Sequence, residues 1–241
     1  MADSASKGRG RKCELGFIQK ADGSCLYSLG KTVVVASVNG PGDVRSSKQV
    51  GDRAVVEVYF HSKVGGSMAS SNTKAGRSVE RHVRTVCESC VLTKQFPRAA
   101  IVMTVQELHN DGSLTAAAIN ATCLALLDAG VPMRTVFAGV ECVLRSTEDG
   151  PVVVVEPDSK MESGRVEARM VFVFESPGVL MGEDGGGGKG ALCACSVEGL
   201  VSREQLKKAE DLAGSRADDV FRLYRTVVEK RFSRRMEFVD E

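Results

Sequence analysis

The stretch His109–Pro132, "HNDGSLTAAAINATCLALLDAGVP", joins a tight turn to a helix of small residues. Asp111–Ser113 forms the turn, and the pattern predicts a helix from Leu114 to Ala129 that ends at Gly130. The free backbone N–H groups and the positive dipole end at the start of such a helix favour an anion. Since its first turn contains no Arg or Lys, the stretch has the form of a phosphate site without the usual cation.

Segments on both sides of this stretch predict a series of strands and two more helices. The predicted strands are Thr32–Val38 (ending at a turn, "NGPGD"), Ala54–Phe60, Ala99–Leu108, Thr135–Leu144, Gly150–Pro157, Val166–Glu175 and Cys193–Ser196. The predicted helices are Ser78–Gln95 and Ser202–Arg234, the second with a Ser202/Gln205 capping box and a break or kink at Gly214. This order predicts an α/β (α+β) fold, in which mixed sheets pack on helices in a single domain.

Composition limits the class of protein. The chain has 241 residues, a net charge of +1 and no apolar run long enough for a membrane span. The polar, basic N-terminus lacks the apolar core of a secretory signal, so we expect a soluble intracellular protein. We expect a flexible basic tail over residues 1–13, one domain over 14–235 with a disordered Gly-rich loop at 182–190, and a C-terminal tail over 236–241. The basic clusters at both ends favour solvated tails over RNA contacts.

Eight cysteines allow two interpretations. Cys87 and Cys90 form a C-x-x-C motif, and Cys193 and Cys195 form a C-x-C motif, which together could bind zinc. However, the first pair lies within a predicted helix, with no Gly or Pro to form a knuckle between the two thiols. We therefore favour reduced, mostly buried thiols and predict no metal and no cofactor.

Several blocks together resemble the RNase PH family, and within it the ring subunits of the eukaryotic RNA exosome. The blocks are "DGSCLYSLGKTVVVASVNGPGDV", "RAVVEVYF", "DGSLTAAAINATCLALLDAGVPMRTVFAGV", "EPDSK" and "FRLYRTVVEKRFS", and the resemblance covers residues 14–233. It implies a ribosomal protein S5 domain 2-like fold and heterodimers that close into a six-membered ring around a channel for single-stranded RNA. It also implies other RNase PH-like ring subunits and RNA-binding cap subunits as partners, no membrane, and a location in the nucleus (nucleolus) and cytoplasm.

Active members of this family use phosphate to cleave the 3′-terminal nucleotide of RNA, which needs a cation for phosphate and paired acids. Here Leu114 or Thr115 occupies the place of the family's arginine, and neither side chain forms a bidentate pair with phosphate. Asp158 keeps the place of the first acid, whereas Arg169 stands where the second belongs. A shifted register would instead make Glu162 or Glu167 the second acid.

These departures predict a non-catalytic structural subunit that supports 3′-to-5′ RNA processing and degradation, including rRNA maturation and mRNA turnover. It would do so by assembling the ring and lining the RNA channel. Two alternatives remain open: an active phosphate-dependent 3′-5′ exoribonuclease with a rearranged acidic pair, and a stand-alone RNA-binding homodimer.

Basic residues around the second strand and the first predicted helix are the candidates for RNA contact. They are Lys63, Lys74, Arg77, Arg81 and Arg84. An ordinary mobile surface loop over Lys63–Arg77, and pairing of Arg81 and Arg84 with Glu80 and Glu88, are the alternatives. For His82 and His109 we expect structural or solvent-exposed roles, because neither has a defensible ligand partner in the sequence.

Overall fold

The structure is a computed structural model that describes residues 9–63, 74–147, 150–176 and 190–236. Its first sheet has five strands in the order β1-β2-β3-β5-β4. Their bounds are β1 (Arg11–Leu15), β2 (Gly23–Leu29), β3 (Thr32–Asp43), β4 (Val55–His61) and β5 (Ala99–His109). The sheet is mixed, because β4 pairs parallel to β5 while the other neighbours pair antiparallel.

The second sheet has four antiparallel strands in the order β7-β6-β8-β9. Their bounds are β6 (Phe137–Thr147), β7 (Gly150–Val155), β8 (Val166–Glu175) and β9 (Leu192–Gly199). Phe137–Leu144 of β6 is buried on both faces, which suits its nearly continuous apolar sequence. The two sheets and the helices between them confirm the predicted fold class of mixed sheets packed on helices.

Within the described residues, four α-helices complete the fold: α1 (Lys74–Cys90), α2 (Leu114–Ala129), α3 (Ser159–Glu162) and α4 (Arg203–Met236). Helix α2 packs against β2 and β3 of the first sheet and against β6 of the second. All eleven residues from Ala116 to Leu126 are buried, so α2 is the centre of the core. A helix that is apolar around its whole circumference is stable only when it is surrounded in this way. Its small side chains let both sheets approach.

Helix α4 covers β6 and β7 with a stripe of small side chains at helical spacing. The buried members of the stripe are Ala209, Ala213, Ala217, Val220 and Tyr224. Leu212 lies outside this stripe, and its side chain is 41% exposed. The helix also continues through Gly214, which lies against the ring of Phe174, so no break occurs there.

Strand and helix bounds differ from the sequence predictions at several points. Strand β3 continues through the predicted "NGPGD" turn to Asp43, where an irregular pairing with β5 extends it. Helix α1 begins four residues earlier than predicted and ends at Cys90, because Val91 forms a bridge to Met133. Strands β1 and β2 were not predicted, since their alternation of polar and apolar residues is weak, and α3 was not predicted because four residues are too few to show helical periodicity.

The N-terminal region differs from its prediction as well. Residues 11–13 belong to β1, and Arg9 and Arg11 make contacts across the molecule, so a flexible tail is the wrong description for residues 9–13. Residues 1–8, most of the predicted Gly-rich loop and the last five residues lie outside the described chain. Among the residues that the structure describes, no helix is both long and apolar enough to cross a membrane.

Candidate functional site

The turn before α2 packs directly against the segment that leads into α3. Gly112 has φ +89°, and a Cβ atom there would lie 2.5 Å from the carbonyl oxygen of Pro157. Ser113 follows in the left-handed region at φ 55°, and its hydroxyl donates to the same carbonyl at 2.9 Å. The turn predicted from the sequence is therefore present, but it packs tightly against Pro157 in the segment before α3.

Two carboxylates of the chain itself occupy the N-terminus of α2. The backbone N–H of Ser113 donates to Glu162 Oε1 at 2.6 Å. The side chain of Glu141, which comes from β6, lies against the backbone N–H groups of Thr115 and Ala116. These are the groups that would bind a phosphate at a helix terminus. Two carboxylates of the protein itself therefore occupy the anion site that the sequence predicts.

Glu141 is a buried acid with an unusual electrostatic environment. Its residue is 6% exposed, and burial raises its pKa to about 7, with the nearby Glu162 carboxylate as a further cause. Arg169 and the two backbone N–H groups act in the opposite direction. Within the described part of the chain, Glu141 Oε2 has no hydrogen-bond partner. A phosphate at this terminus would lie beside the Glu141 and Glu162 carboxylates, and electrostatic repulsion would oppose its binding.

The four residues assigned to the degenerate site lie around this terminus. Leu114 and Thr115 form the half-buried first turn of α2. Asp158 is the N-cap of α3, and its Oδ1 accepts the backbone N–H of Met161 at 2.8 Å. Arg169 is exposed on β8 and donates to the carbonyl oxygen of Glu162 at 3.4 Å. Arg169 and Glu162 are therefore in contact, whereas the Asp158 side chain caps α3.

Three residues at this site were missed by reasoning from the sequence. Arg9 was assigned to a tail, yet its guanidinium donates to the carbonyl oxygens of Asp111 and Pro157, both at 2.9 Å, and to the Asp111 carboxylate at 3.2 Å. Glu141 had a usable signal, because it is the only acid in an otherwise apolar strand sequence. Ser113 had no signal, since its role depends on backbone geometry.

The candidate RNA-contact residues fall into two places. Lys63 is exposed at the end of the segment after β4, and residues 64–73 of the predicted loop lie outside the described chain. The other four are exposed along one face of α1, which we call the basic face: Lys74, Arg77, Arg81 and Arg84. Glu80 does not serve mainly as an ion-pair partner, because its Oε1 accepts the backbone N–H of Phe60 at 2.8 Å. Arg84 reaches the carbonyl oxygen of Val58 at 3.5 Å.

His82 and His109 each contact a backbone carbonyl through Nδ1. His82 Nδ1 lies 2.7 Å from the carbonyl oxygen of Ser78, and His109 Nδ1 lies 2.8 Å from that of Lys31. Because a carbonyl only accepts, each ring nitrogen must be the donor. These bonds agree with the structural or solvent-exposed roles expected from the sequence.

The cysteines of the two short motifs do not converge as a set of four. Cys90 Sγ and Cys193 Sγ are 3.9 Å apart, whereas Cys87 is buried and close to Cys123, and Cys195 is exposed further along β9. All eight cysteines are free. The four-cysteine zinc site considered from the sequence is therefore not formed in this arrangement.

The chain combines a two-sheet fold, a buried central helix and a glycine turn at the N-terminus of that helix. A family model described as "3' exoribonuclease family, domain 1" matches residues 7–132. The chain therefore belongs to the RNase PH family.

More specific similarity comes from individual relatives. The chain is 31% identical over 229 residues to a Caenorhabditis elegans protein named "Exosome complex component RRP46 homolog", covering 95% of this chain and 98% of that one. It is 32% identical over 162 residues to an Arabidopsis thaliana protein named "Exosome complex exonuclease RRP46 homolog", covering 67% of this chain and 64% of the other.

Solved structures show the same fold. A crystal structure of rice (Oryza sativa) Rrp46 superposes with a TM-score of 0.77 at 22% identity, covering 92% of this chain and 96% of the rice chain. An archaeal exosome core chain gives a TM-score of 0.70 at 18% identity, covering 91% and 87%. These structures share the fold, and the relatives named RRP46 confirm the resemblance to exosome subunits of the ribosomal RNA-processing protein 46 type.

Proposed function

We propose that this chain is a non-catalytic ring subunit of an RNA exosome, which supports 3′-to-5′ RNA processing and degradation by assembling the ring and lining its RNA channel. Its partners are then other RNase PH-like ring subunits and RNA-binding cap subunits. Its place of action is the nucleus, including the nucleolus, and the cytoplasm. The names of the relatives support the ring assignment, since they are described as exosome complex components.

One observation carries the non-catalytic part of the proposal: Glu141 and Glu162 occupy the N-terminus of α2. An isolated helix terminus stabilises an anion by only about 0.3–1 kcal/mol. Two carboxylates already bound there oppose phosphate binding, and the turn itself contains no arginine that could pair with the phosphate. Asp158 is held by the capping bond of α3, so the acid that the family pattern keeps is already engaged.

A phosphorolysis assay tests this part directly. The purified full chain is incubated with single-stranded RNA, orthophosphate and Mg²⁺, and nucleoside diphosphate is measured. We expect no release above the protein-free background. Release that Asp158→Asn abolishes would establish the alternative, a phosphate-dependent exoribonuclease. Asparagine is chosen because it keeps the helix cap while removing the carboxylate charge, so loss of activity would not reflect unfolding.

The basic face of α1 is the proposed RNA contact. Lys74, Arg77, Arg81 and Arg84 span eleven residues of helix, or about 15 Å, on one exposed side. Evenly spaced cations on a rigid helix suit a negatively charged backbone and provide little sequence preference. This geometry favours a contact with the phosphates of a single strand over recognition of its bases.

The matching experiment measures RNA affinity as a function of salt. The double variant Arg81→Ala/Arg84→Ala should weaken binding of a single-stranded RNA and reduce the slope of log K against log salt by about 1.4, the value for two phosphate contacts. The control is Lys207→Ala/Lys208→Ala, which removes two exposed lysines of α4. Equal effects of both double variants would mean that the basic face has no particular role.

Assembly separates the ring subunit from the stand-alone RNA-binding homodimer. Light scattering of the isolated chain should give a monomer, and the chain should co-purify from cell extract with related ring proteins. A stable homodimer that binds RNA with sub-micromolar affinity would support the homodimer instead.

A further inference from the structure

A cluster of two thiols and one carboxylate joins three elements away from the helix terminus described above. Cys90 is the last residue of α1, Glu175 the last residue of β8, and Cys193 the second residue of β9. One potential ligand atom from each lies within 4.8 Å of those of the other two. Cys90 is buried, while Glu175 and Cys193 are half-buried, so an ion has a route from solvent.

The backbone brings these side chains together through specific local geometry. The register between β8 and β9 shifts between Val173 and Phe174, which leaves Cys193 as the extra residue of a bulge. A bulge redirects a side chain relative to the regular strand. The N–H of Glu175 donates to the carbonyl oxygen of Ala191 at 2.8 Å, and the N–H of Arg134 donates to that of Cys90 at 2.7 Å. Main-chain bonds therefore hold Cys90 and Glu175, and the bulge positions Cys193.

We propose that Cys90, Cys193 and Glu175 form a zinc site that fastens the start of β9 to the end of α1. The Sγ atoms of the two cysteines are 3.9 Å apart. Two sulfurs bound to a tetrahedral zinc at 2.3 Å are separated by about 3.8 Å. A disulfide needs 2.05 Å, so the sulfurs would have to approach by about 1.9 Å. The observed separation thus suits a shared metal ion.

The carboxylate completes a mixed sulfur and oxygen set. A tetrahedral zinc places a sulfur and a carboxylate oxygen about 3.6 Å apart, so from a separation of at most 4.8 Å the Glu175 oxygen needs a shift of up to about 1.2 Å. Arg134 contacts Glu175 Oε1 at 2.8 Å, which leaves the second carboxylate oxygen available to a metal. The Ser89 hydroxyl, 3.4 Å from Cys193 Sγ and 3.5 Å from Cys90 Sγ, borders the remaining position, which water can occupy. Two thiolates with a carboxylate favour zinc over the hard cations magnesium and calcium.

Metal binding changes the protonation of the thiols. Without a metal, a cysteine side chain is mainly a neutral thiol at pH 7, because its ordinary pKa is about 8.5. Zinc binds thiolates, so each thiol gives up its proton and up to two protons are released for each ion bound. The two protons go to the buffer, and no oxidant or reductant is needed.

Zinc titration of the full chain tests the proposal. Metal-free protein is kept reduced with a phosphine, and the metal content and affinity are measured by elemental analysis and by competition with a chromophoric chelator. We expect one zinc per chain, proton release, and a higher melting temperature. Cobalt in place of zinc should give an absorption band from sulfur-to-metal charge transfer.

Variants separate this cluster from adventitious thiol binding. Cys193→Ser should lower the zinc affinity at least tenfold and remove the thermal shift, and Glu175→Gln should weaken binding to a smaller extent. Cys195→Ser is the matched control on the same strand and should bind as the unaltered chain does. Equal affinity in Cys193→Ser, or equal loss in Cys195→Ser, would overturn the proposal. So would a Cys90–Cys193 disulfide that forms with a mild oxidant in a chain that takes up no zinc.

Discussion

At the scale of single residues, the buried acid Glu141 is the feature with the largest electrostatic consequence. It lies on β6, is almost fully buried, and faces the start of α2 together with Glu162. A buried carboxylate is costly when it is ionised, and the backbone N–H groups of the helix offset only part of that cost. Glu141 therefore destabilises the folded chain at high pH while it fills the anion site.

Replacing Glu141 by glutamine tests this cost. The folded-state pKa of about 7 lies above the ordinary value of 4.5, so its contribution to stability is fully present below the unfolded pKa and is lost as pH rises through the folded pKa. Glu141→Gln should therefore raise the free energy of unfolding at pH 8, by about 3 kcal/mol at most, and change it little at pH 4 to 5. Denaturant titration at both values measures this.

The control for that measurement is Glu14→Gln, which alters an exposed acid of β1. It should give the same small effect at both pH values. A Glu141→Gln chain that loses stability equally at low and high pH would show that the carboxylate contributes bonding rather than a penalty.

At the scale of elements, a local capping motif marks the start of α4, whereas tertiary packing sets the position of α2. Both members of the predicted capping box of α4 bond reciprocally: Ser202 N–H donates to Gln205 Oε1 at 2.8 Å, and Gln205 N–H donates to Ser202 Oγ at 3.2 Å. Helix α2, by contrast, has no side-chain cap bond at Ser113. Its position follows instead from a buried network in which Asn120 bonds Gly139 on β6 and accepts from the Tyr224 hydroxyl of α4.

Removing the cap hydroxyl of α4 should produce a measurable loss. Ser202→Ala is expected to cost about 1 kcal/mol, because one N–H at the start of the helix loses its partner. For a chain of this size that corresponds to roughly 2–4 °C in melting temperature. Ser215→Ala, at an exposed position within the same helix, serves as the control and should not destabilise. Equal effects of the two changes would contradict the cap assignment.

At the scale of the whole molecule, the N-terminal strand connects the two sheets. Arg11 on β1 forms an ion pair with Glu156, which follows β7, and the two side chains are only 10% and 4% exposed. Arg9 similarly reaches the turn before α2 and the segment before α3. Arg9 and Arg11 therefore connect the N-terminal end of the first sheet to the turn before α2 and to the residues that follow β7.

Breaking the Arg11–Glu156 pair should destabilise the whole domain. Arg11→Met leaves a buried carboxylate without its partner and is expected to cost about 3–5 kcal/mol. The double variant Arg11→Met/Glu156→Gln removes that charge and should recover much of the loss. Lys48→Met, which breaks a pair on the exposed surface, is the control and should leave the melting temperature unchanged. A double variant no more stable than Arg11→Met would show that the contact acts through packing alone.

Local sequence was enough to predict the bounds of α2, the apolar parts of β3 and β6, the capping box of α4 and membership of the RNase PH family, because periodicity, turn residues and ordered motifs are local properties of the chain. Only the tertiary structure decided that Glu141 and Glu162 fill the helix terminus, that Arg9 and Arg11 belong to the domain, and that Cys90 meets Cys193 and Glu175. Many of these contacts join residues more than a hundred positions apart. They depend on the register and packing of two sheets, and a single bulge in β9 is enough to redirect a thiol, which no local pattern encodes.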